Sequence, residues 1–150
     1  MKIEAKLKEM GLELPEIPKP VANYVPAVRA GNLLFLSGHG PEKTIPNGKV
    51  GDELTLEQGY EAAKNTALCL VSTIKNSIGD LDKVKRIVKL TGFVNCSEDF
   101  KDQPKVVNGA SDFFVALFGD KGKHARAAIG MYQLPGGIPV EIEIIVEVED

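Results

Sequence analysis

The chain ends on a clean alternation. Val140, Ile142, Ile144, Val146 and Val148 fall on one face, Glu141, Glu143, Glu147 and Glu149 on the other, and Ile145 is the exception. A period of two marks a strand with one side in a core and one side in water. Ahead of it, the stretch opening at Arg126 reads as another β-rich run. Leu134-Pro135-Gly136-Gly137 lies between the two as a Pro-Gly turn, so the pattern predicts a C-terminal hairpin. Near the other end, Tyr24 to Arg29 and Leu33 to Ser37 flank Ala30-Gly31-Asn32 and predict a second hairpin. Leu33-Leu34-Phe35-Leu36 is apolar without a break, which predicts burial on both faces. Val84 to Asn95 predicts one further strand.

The helical period appears three times. Ile3, Leu7 and Met10 predict a short amphipathic helix over Lys2 to Met10, ended by Gly11. Thr55-Leu56-Glu57-Gln58 is a capping box, and the helix it starts carries Leu56, Tyr60, Ala63, Ala67, Leu70, Val71, Ile74 and Ile78 to a stop at Gly79. Pro104, following Asp102, opens another helix with a stripe of Val107, Ala110, Phe114, Leu117 and Phe118 and an end at Gly119. Leu14 to Pro20 holds three prolines and predicts an extended tether. Pro41 to Gly51 predicts a polar loop with a turn at Pro46-Asn47-Gly48 and a short strand near Lys49-Val50.

The order hairpin, helix, strand, helix, hairpin predicts one α+β domain over residues 1–150, with an N-terminal helix and Pro-rich tether at about 1–20. Its mixed β-sheet has two helices packed on one face. The other face has no cover within the chain, and strands apolar on both sides require another copy of the protein to bury it.

Composition narrows the classes. The chain has 150 residues and a formal charge of −3, with no basic excess to track a phosphate backbone, so no nucleic-acid partner is expected. Lys83, Lys85, Arg86 and Lys89 cluster, but without interleaved aromatics they read as a solvated edge. No apolar run is long enough to span a membrane, and Met1 to Met10 does not resemble a signal peptide, which predicts a cytoplasmic protein. Cys69 and Cys96 lack CxxC spacing and read as reduced thiols in apolar surroundings. His39 and His124 sit in no ligand-spaced motif, so no metal site is predicted.

Arg126 is the candidate for chemistry. Ala127, Ala128 and Gly130 leave room around its guanidinium, a planar fork suited to gripping a carboxylate with two parallel hydrogen bonds. Composition alone favours an ordinary surface arginine. Ser37-Gly38 ends a strand where a hydroxyl and bare backbone can approach a ligand, or is simply a strand exit. Asn108 is an amide within a helix that needs partners if buried. Tyr60 reads as packing.

Three separated blocks carry a family resemblance: Tyr24 through Ser37-Gly38, Asn108 followed by Phe113-Phe114, and Ala125-Arg126 with Leu134-Pro135 and Val140-Glu141-Ile142-Glu143. In this order, over about residues 20 to 148, the chain resembles the YjgF/RidA family of reactive-intermediate (enamine/imine) deaminases, as a somewhat longer, divergent branch. The resemblance implies a chorismate-mutase-like (bacillus-type) fold and a homotrimer with clefts between subunits. It also implies hydrolytic deamination of 2-aminoacrylate-type enamines and 2-imino acids to 2-keto acids and ammonia, with no cofactor. Arg126 would then hold the substrate carboxylate and Glu141 orient the water. Tyr24, Ser37, Gly38 and Asn108 would line the site. Where the family often has a reactive cysteine, this chain has Ala128. Where a glutamine commonly follows Ser-Gly, it has His39, which serves as an auxiliary acid or as a loop cap. The loop over Pro41 to Lys49 is long enough to reshape the pocket.

In a regular C-terminal hairpin with its turn at Gly136, residues of equal parity share a face. Arg126 and Glu141 would point apart within one subunit, unless an odd register, a bulge or a partner subunit brought them together. A non-catalytic protein that binds small carboxylates or a partner remains the competing reading, and an endoribonuclease fits less well.

Overall fold

Thr55 starts the long helix as its sequence dictates. Its hydroxyl accepts from Gln58 N–H at 3.1 Å, and the Gln58 side chain accepts from Thr55 N–H at 2.8 Å, so both halves of the capping box are made. The helix, α2 (Leu56–Ile78), ends at Gly79, whose φ of 82° suits a residue without a side chain. This geometry comes from a computed structural model that describes residues 1–17 and 22–150.

Around α2 the described elements run α1 (Lys2–Glu9), β1 (Ala27–Ala30), β2 (Leu33–Leu36), then α2, β3 (Val84–Asn95), α3 (Gln103–Phe118), β4 (Ala125–Met131) and β5 (Val140–Val148). Leu14 to Ile17 has no regular structure, as the tether reading expects, and residues 18–20 of that tether lie outside the described residues. Among the described residues there are three α-helices. α2 and α3 cross one another on the sheet, and α1 lies against α3 and the short turn at Leu81–Lys83. Asp82 caps α1 from outside, accepting from Lys2 N–H at 2.8 Å and Ile3 N–H at 2.9 Å.

The sheet is mixed, in the order β1-β2-β5-β3-β4. This corrects the predicted C-terminal hairpin: β4 and β5 never pair. β5 runs antiparallel between β2 and β3, and β4 pairs parallel to β3 at the edge. The eight residues between the two strands are too many for a tight hairpin turn, and they carry the chain past β3 instead. Gly136 and Gly137 take φ of 68° and 73° within them. A parallel pair needs a crossover, and α3 supplies it between β3 and β4.

The alternation along β5 is borne out. Val140, Ile142, Ile144, Val146 and Val148 are buried toward the helices with Leu34, Leu36, Ile87, Leu90 and Val94. Within one chain the uninterrupted run in β2 is buried on only one of its faces. Leu34 and Leu36 are buried, whereas Phe35 keeps 41 % of its surface and Leu33 faces out beside it. With Val28 and Ile129 they form an apolar face that nothing within the described residues covers.

The basic cluster is a solvated surface. Lys83, Lys85, Arg86 and Lys89 are exposed, with Lys85 Nζ 3.9 Å from Glu147. Val50 forms isolated bridges with Leu54 and Cys96 in place of the short strand predicted there. Cys69 and Cys96 are free and half-buried, and burial, with Glu42 nearby, pushes the Cys69 thiol up to about 11. Among the described residues no helix is long and apolar enough to cross a membrane.

Candidate active site

The register separates the candidate residues into two groups. Arg126 pairs with Leu90, and Leu90 with Ile144, both buried under the helices, so Arg126 lies on the helix face of the edge strand. Glu141 pairs with Phe93, which in turn pairs with Ile129 on the uncovered face. Two strand spacings and three residues of rise put the Arg126 and Glu141 Cα atoms about 14 Å apart, on opposite faces. The divergence expected from a regular hairpin is therefore present without the hairpin. Neither an odd register nor a bulge closes it within one chain: the register shifts in β3 lie between Val84 and Lys89, outside the segment from Leu90 to Phe93.

The first group gathers where β1 begins, β2 ends and β5 begins. Ser37 Oγ donates to Val25 C=O at 2.7 Å, and Ser37 N–H donates to Pro26 C=O at 2.8 Å. These bonds hold the β2 exit against the segment next to Tyr24, whose ring is exposed. Gly38 leaves room for the Glu141 side chain. A Cβ at that position would stand 2.7 Å from Glu141 Oε2 and 3.0 Å from its Cδ, so the carboxylate lies on bare backbone. Burial raises the Glu141 pKa, and repulsion from Glu143, two residues along the same face, adds to it.

His39, the auxiliary candidate, is engaged at both ring nitrogens. Nδ1 lies 2.7 Å from Ser37 C=O and Nε2 2.7 Å from the Thr73 hydroxyl. With its backbone bridged to Ile142, it ties the β2 exit to α2 and β5. Burial lowers its pKa, which keeps the ring neutral near pH 7. This geometry fits the loop cap, not the acid.

The second group stands at the β4 edge. Pro104, Asn108 and Ser111 share one face of α3 by helical spacing, and Arg126 reaches that face. Its Nη1 donates to Ser111 Oγ at 3.0 Å and its Nη2 to Pro104 C=O at 3.3 Å. Asn108 is half-buried, and its side chain makes no hydrogen bond among the described residues. The sequence does not single out Ser111 or His124 as site residues: Ser111 is one turn after Asn108 and His124 two residues before Arg126, but only the packing of α3 on β4 brings them to the guanidinium. The position of α3 depends on Gly109, where a Cβ would come within 2.0 Å of Tyr60 C=O on α2. Next to it, half-buried Tyr60 links the two helices, its Oη donating to Asp112 Oδ2 at 2.8 Å.

The loop from Pro41 to Lys49 belongs to neither group. Asn47 Nδ2 donates to Gly136 C=O at 3.0 Å, and Lys49 Nζ donates to Asn95 Oδ1 at 2.9 Å. It borders a shallow hollow of about 290 Å³ with Glu53, Asn95 and Gln133. Another hollow, of about 420 Å³, lies between Leu14–Ile17 and the end of α2. Neither includes a candidate residue. No group of His, Cys, Asp and Glu among the described residues could hold a metal ion.

Two of the three motif blocks lie on strands of this sheet and their flanks, the third lies on α3, and a family comparison agrees with them. The family described as "YjgF/chorismate_mutase-like, putative endoribonuclease" matches residues 4–138. The chain belongs to the YjgF/RidA superfamily. It is 42 % identical over 153 residues to protein TCP17 of Trypanosoma cruzi, covering 99 % of this chain and 96 % of that protein. It is 28 % identical over 138 residues to a 2-iminobutanoate/2-iminopropanoate deaminase of Dermatophagoides farinae, covering 92 % and 95 %. A crystal structure of a protein of unknown function from Agrobacterium tumefaciens superposes with a TM-score of 0.91 at 39 % identity, covering 99 % of this chain and 92 % of that one. The chorismate-mutase-like α+β fold is thereby established for a divergent member of the YjgF/RidA superfamily.

Proposed function

We propose that this protein hydrolyses 2-aminoacrylate-type enamines and 2-imino acids to 2-keto acids and ammonia, in a cleft completed by a neighbouring copy. The observation that carries the reading is the state of Arg126. The residue is half-buried, and its guanidinium is held from behind by a hydroxyl and a carbonyl and has no carboxylate partner among the described residues. A partly desolvated cation held by neutral acceptors retains its full charge for an incoming anion.

One chain cannot use Arg126 and Glu141 on the same small molecule, because they lie on opposite faces and about 14 Å apart. Two different patches on opposite sides of a subunit meet in a head-to-tail contact, which forms a ring when the rotation between copies closes. The uncovered apolar face of Val28, Leu33, Phe35 and Ile129 supports burial against other copies. A homotrimer, the assembly implied by the resemblance, satisfies both requirements.

In that cleft Arg126 of one copy holds the substrate carboxylate, with Asn108 beside it. Glu141 of the next copy, bedded on Gly38, orients a water toward the imine carbon. An enamine first exchanges a proton on nitrogen for one on its β-carbon to become the imine, and addition of water to C=N then gives a carbinolamine. Proton return through Glu141 then releases ammonia and leaves the keto acid. A carboxyl held above its ordinary range suits both proton transfers. Tyr24 and Ser37 border the incoming substrate. The imine is already electrophilic, so the chemistry asks no cofactor of these residues.

The test generates 2-aminoacrylate in situ from serine with a dehydratase and follows keto-acid release. Wild type accelerates release. Arg126→Ala abolishes the acceleration, and Arg126→Lys, lacking the fork, restores little of it. Equal rates for wild type and Arg126→Ala would refute the proposal. Stabilisation by pyruvate that is lost in Arg126→Ala, without any turnover, would establish a carboxylate-binding protein in its place.

A further inference from the structure

Behind Arg126 lies a polar chain whose direction is fixed by its own geometry. His124 Nδ1 is 2.6 Å from Gly122 C=O, and a carbonyl only accepts, so Nδ1 carries the proton. In the neutral ring Nε2 is then bare, and the Ser111 hydroxyl, 2.9 Å away, donates to it. With its own proton committed, Ser111 Oγ turns a lone pair to Arg126 Nη1 at 3.0 Å. The ring plane is set separately by Phe114, edge-on at 6.2 Å and 82°. Every link donates in one sense, from guanidinium to hydroxyl to imidazole to backbone.

We propose that Ser111 and His124 are positioning residues that hold Arg126 in its carboxylate-binding orientation, an inference that rests on Arg126 being the anion-binding group. Ser111 and Pro104 C=O take one N–H from each terminal nitrogen. One N–H remains on each, together with Nε–H, for an incoming carboxylate. The guanidinium has no acceptor, so Ser111 can offer it only a lone pair, yet a hydroxyl whose own proton lacks a partner still rotates about that bond. His124 removes that freedom. Because Gly122 C=O has already selected the tautomer, the acceptor face of Ser111 points at Arg126 before any ligand arrives.

The test uses the full-length protein and three variants. Ser111→Ala removes the hydroxyl, Ser111→Thr retains it, and His124→Phe keeps an aromatic ring against Phe114 while removing the acceptor. The chain has three arginines, Arg29, Arg86 and Arg126, so the side-chain Nε–H resonance of Arg126 is assignable by its loss in Arg126→Lys. Ser111→Ala and His124→Phe are expected to speed solvent exchange of the Arg126 Nη1 protons correlated with that Nε–H, and to weaken pyruvate binding on the order of tenfold, the worth of one hydrogen bond to a charged group. Ser111→Thr is expected to stay within about twofold of wild type in pyruvate affinity. Melting temperatures show that each variant is folded, and either non-hydroxyl or non-imidazole variant alone suffices for the measurement. Unchanged Arg126 exchange in the folded variants would overturn the proposal, whatever pyruvate does. Pyruvate binding that survives Arg126→Ala would instead overturn the functional reading, with the exchange data still deciding the positioning role.

Discussion

Gly109→Ala sets two well-known effects against each other at the helix crossing on which the anion half-site depends. Alanine favours the helix by about 1 kcal/mol over glycine. Against this, the new Cβ would lie 2.0 Å from Tyr60 O, 2.9 Å from Tyr60 C and 3.1 Å from Lys64 N. All three are backbone atoms of α2, so no side chain can turn aside, and α2 and α3 must separate by on the order of 1 Å to regain ordinary contact. Overpacking costs about 1–3 kcal/mol, and occasionally more when the obstruction cannot move. Overpacking therefore wins, with a net loss of about 2 kcal/mol, or a fall of about 4–8 °C in melting temperature for a chain of this size. The control is Gly59→Ala, also within α2, whose Cβ would meet methyl groups of Val50 and Val106 at 3.0–3.2 Å. Those side chains can shift, so that variant stays within about 1 kcal/mol of wild type. Thermal unfolding followed by circular dichroism at matched protein concentration compares the two, since assembly itself raises the melting point. If Gly109→Ala melts at or above wild type, or if Gly59→Ala falls as far, the close approach of the helices is not what fixes glycine at 109.

Other substitutions test separate parts of the argument. Glu143→Gln removes the like charge that adds to burial in raising Glu141, so the acidic limb of the activity profile moves to lower pH; no movement would show that Glu141 does not govern that limb. Because the folded-state pKa of Glu141 is raised, native protein holds the extra proton between the ordinary and the raised values. Stability therefore falls as pH rises through that window, and Glu141→Gln should gain stability relative to wild type above it, measured by denaturant titration at several pH values. Thr55→Ala breaks an observed capping box and should lower stability by about 1 kcal/mol. Phe35→Glu places a charge on the uncovered face and should shift the sedimentation coefficient toward the monomer, with activity lost in parallel; an active monomer would refute the shared cleft.

What the sequence determined by itself is everything with a local cause. The boundaries of α2 follow from Thr55, Gln58 and Gly79, the buried side of β5 follows from its alternation, and α3 follows from Pro104, an apolar stripe and Gly119. Each needs only neighbours a few residues away. Tertiary structure alone decided strand partnership. Nothing in Ala125–Met131 or Val140–Val148 encodes that β5 inserts between β2 and β3 while β4 takes the far edge, because a strand's backbone bonds are the same with any partner. The same reason hid the chain from His124 through Ser111 to Arg126: it is closed by α3 folding back over β4, and Gly109 permits that approach. Placing Arg126 and Glu141 on opposite faces is likewise a property of the assembled sheet, since side-chain direction across strands is set by register and register by long-range packing.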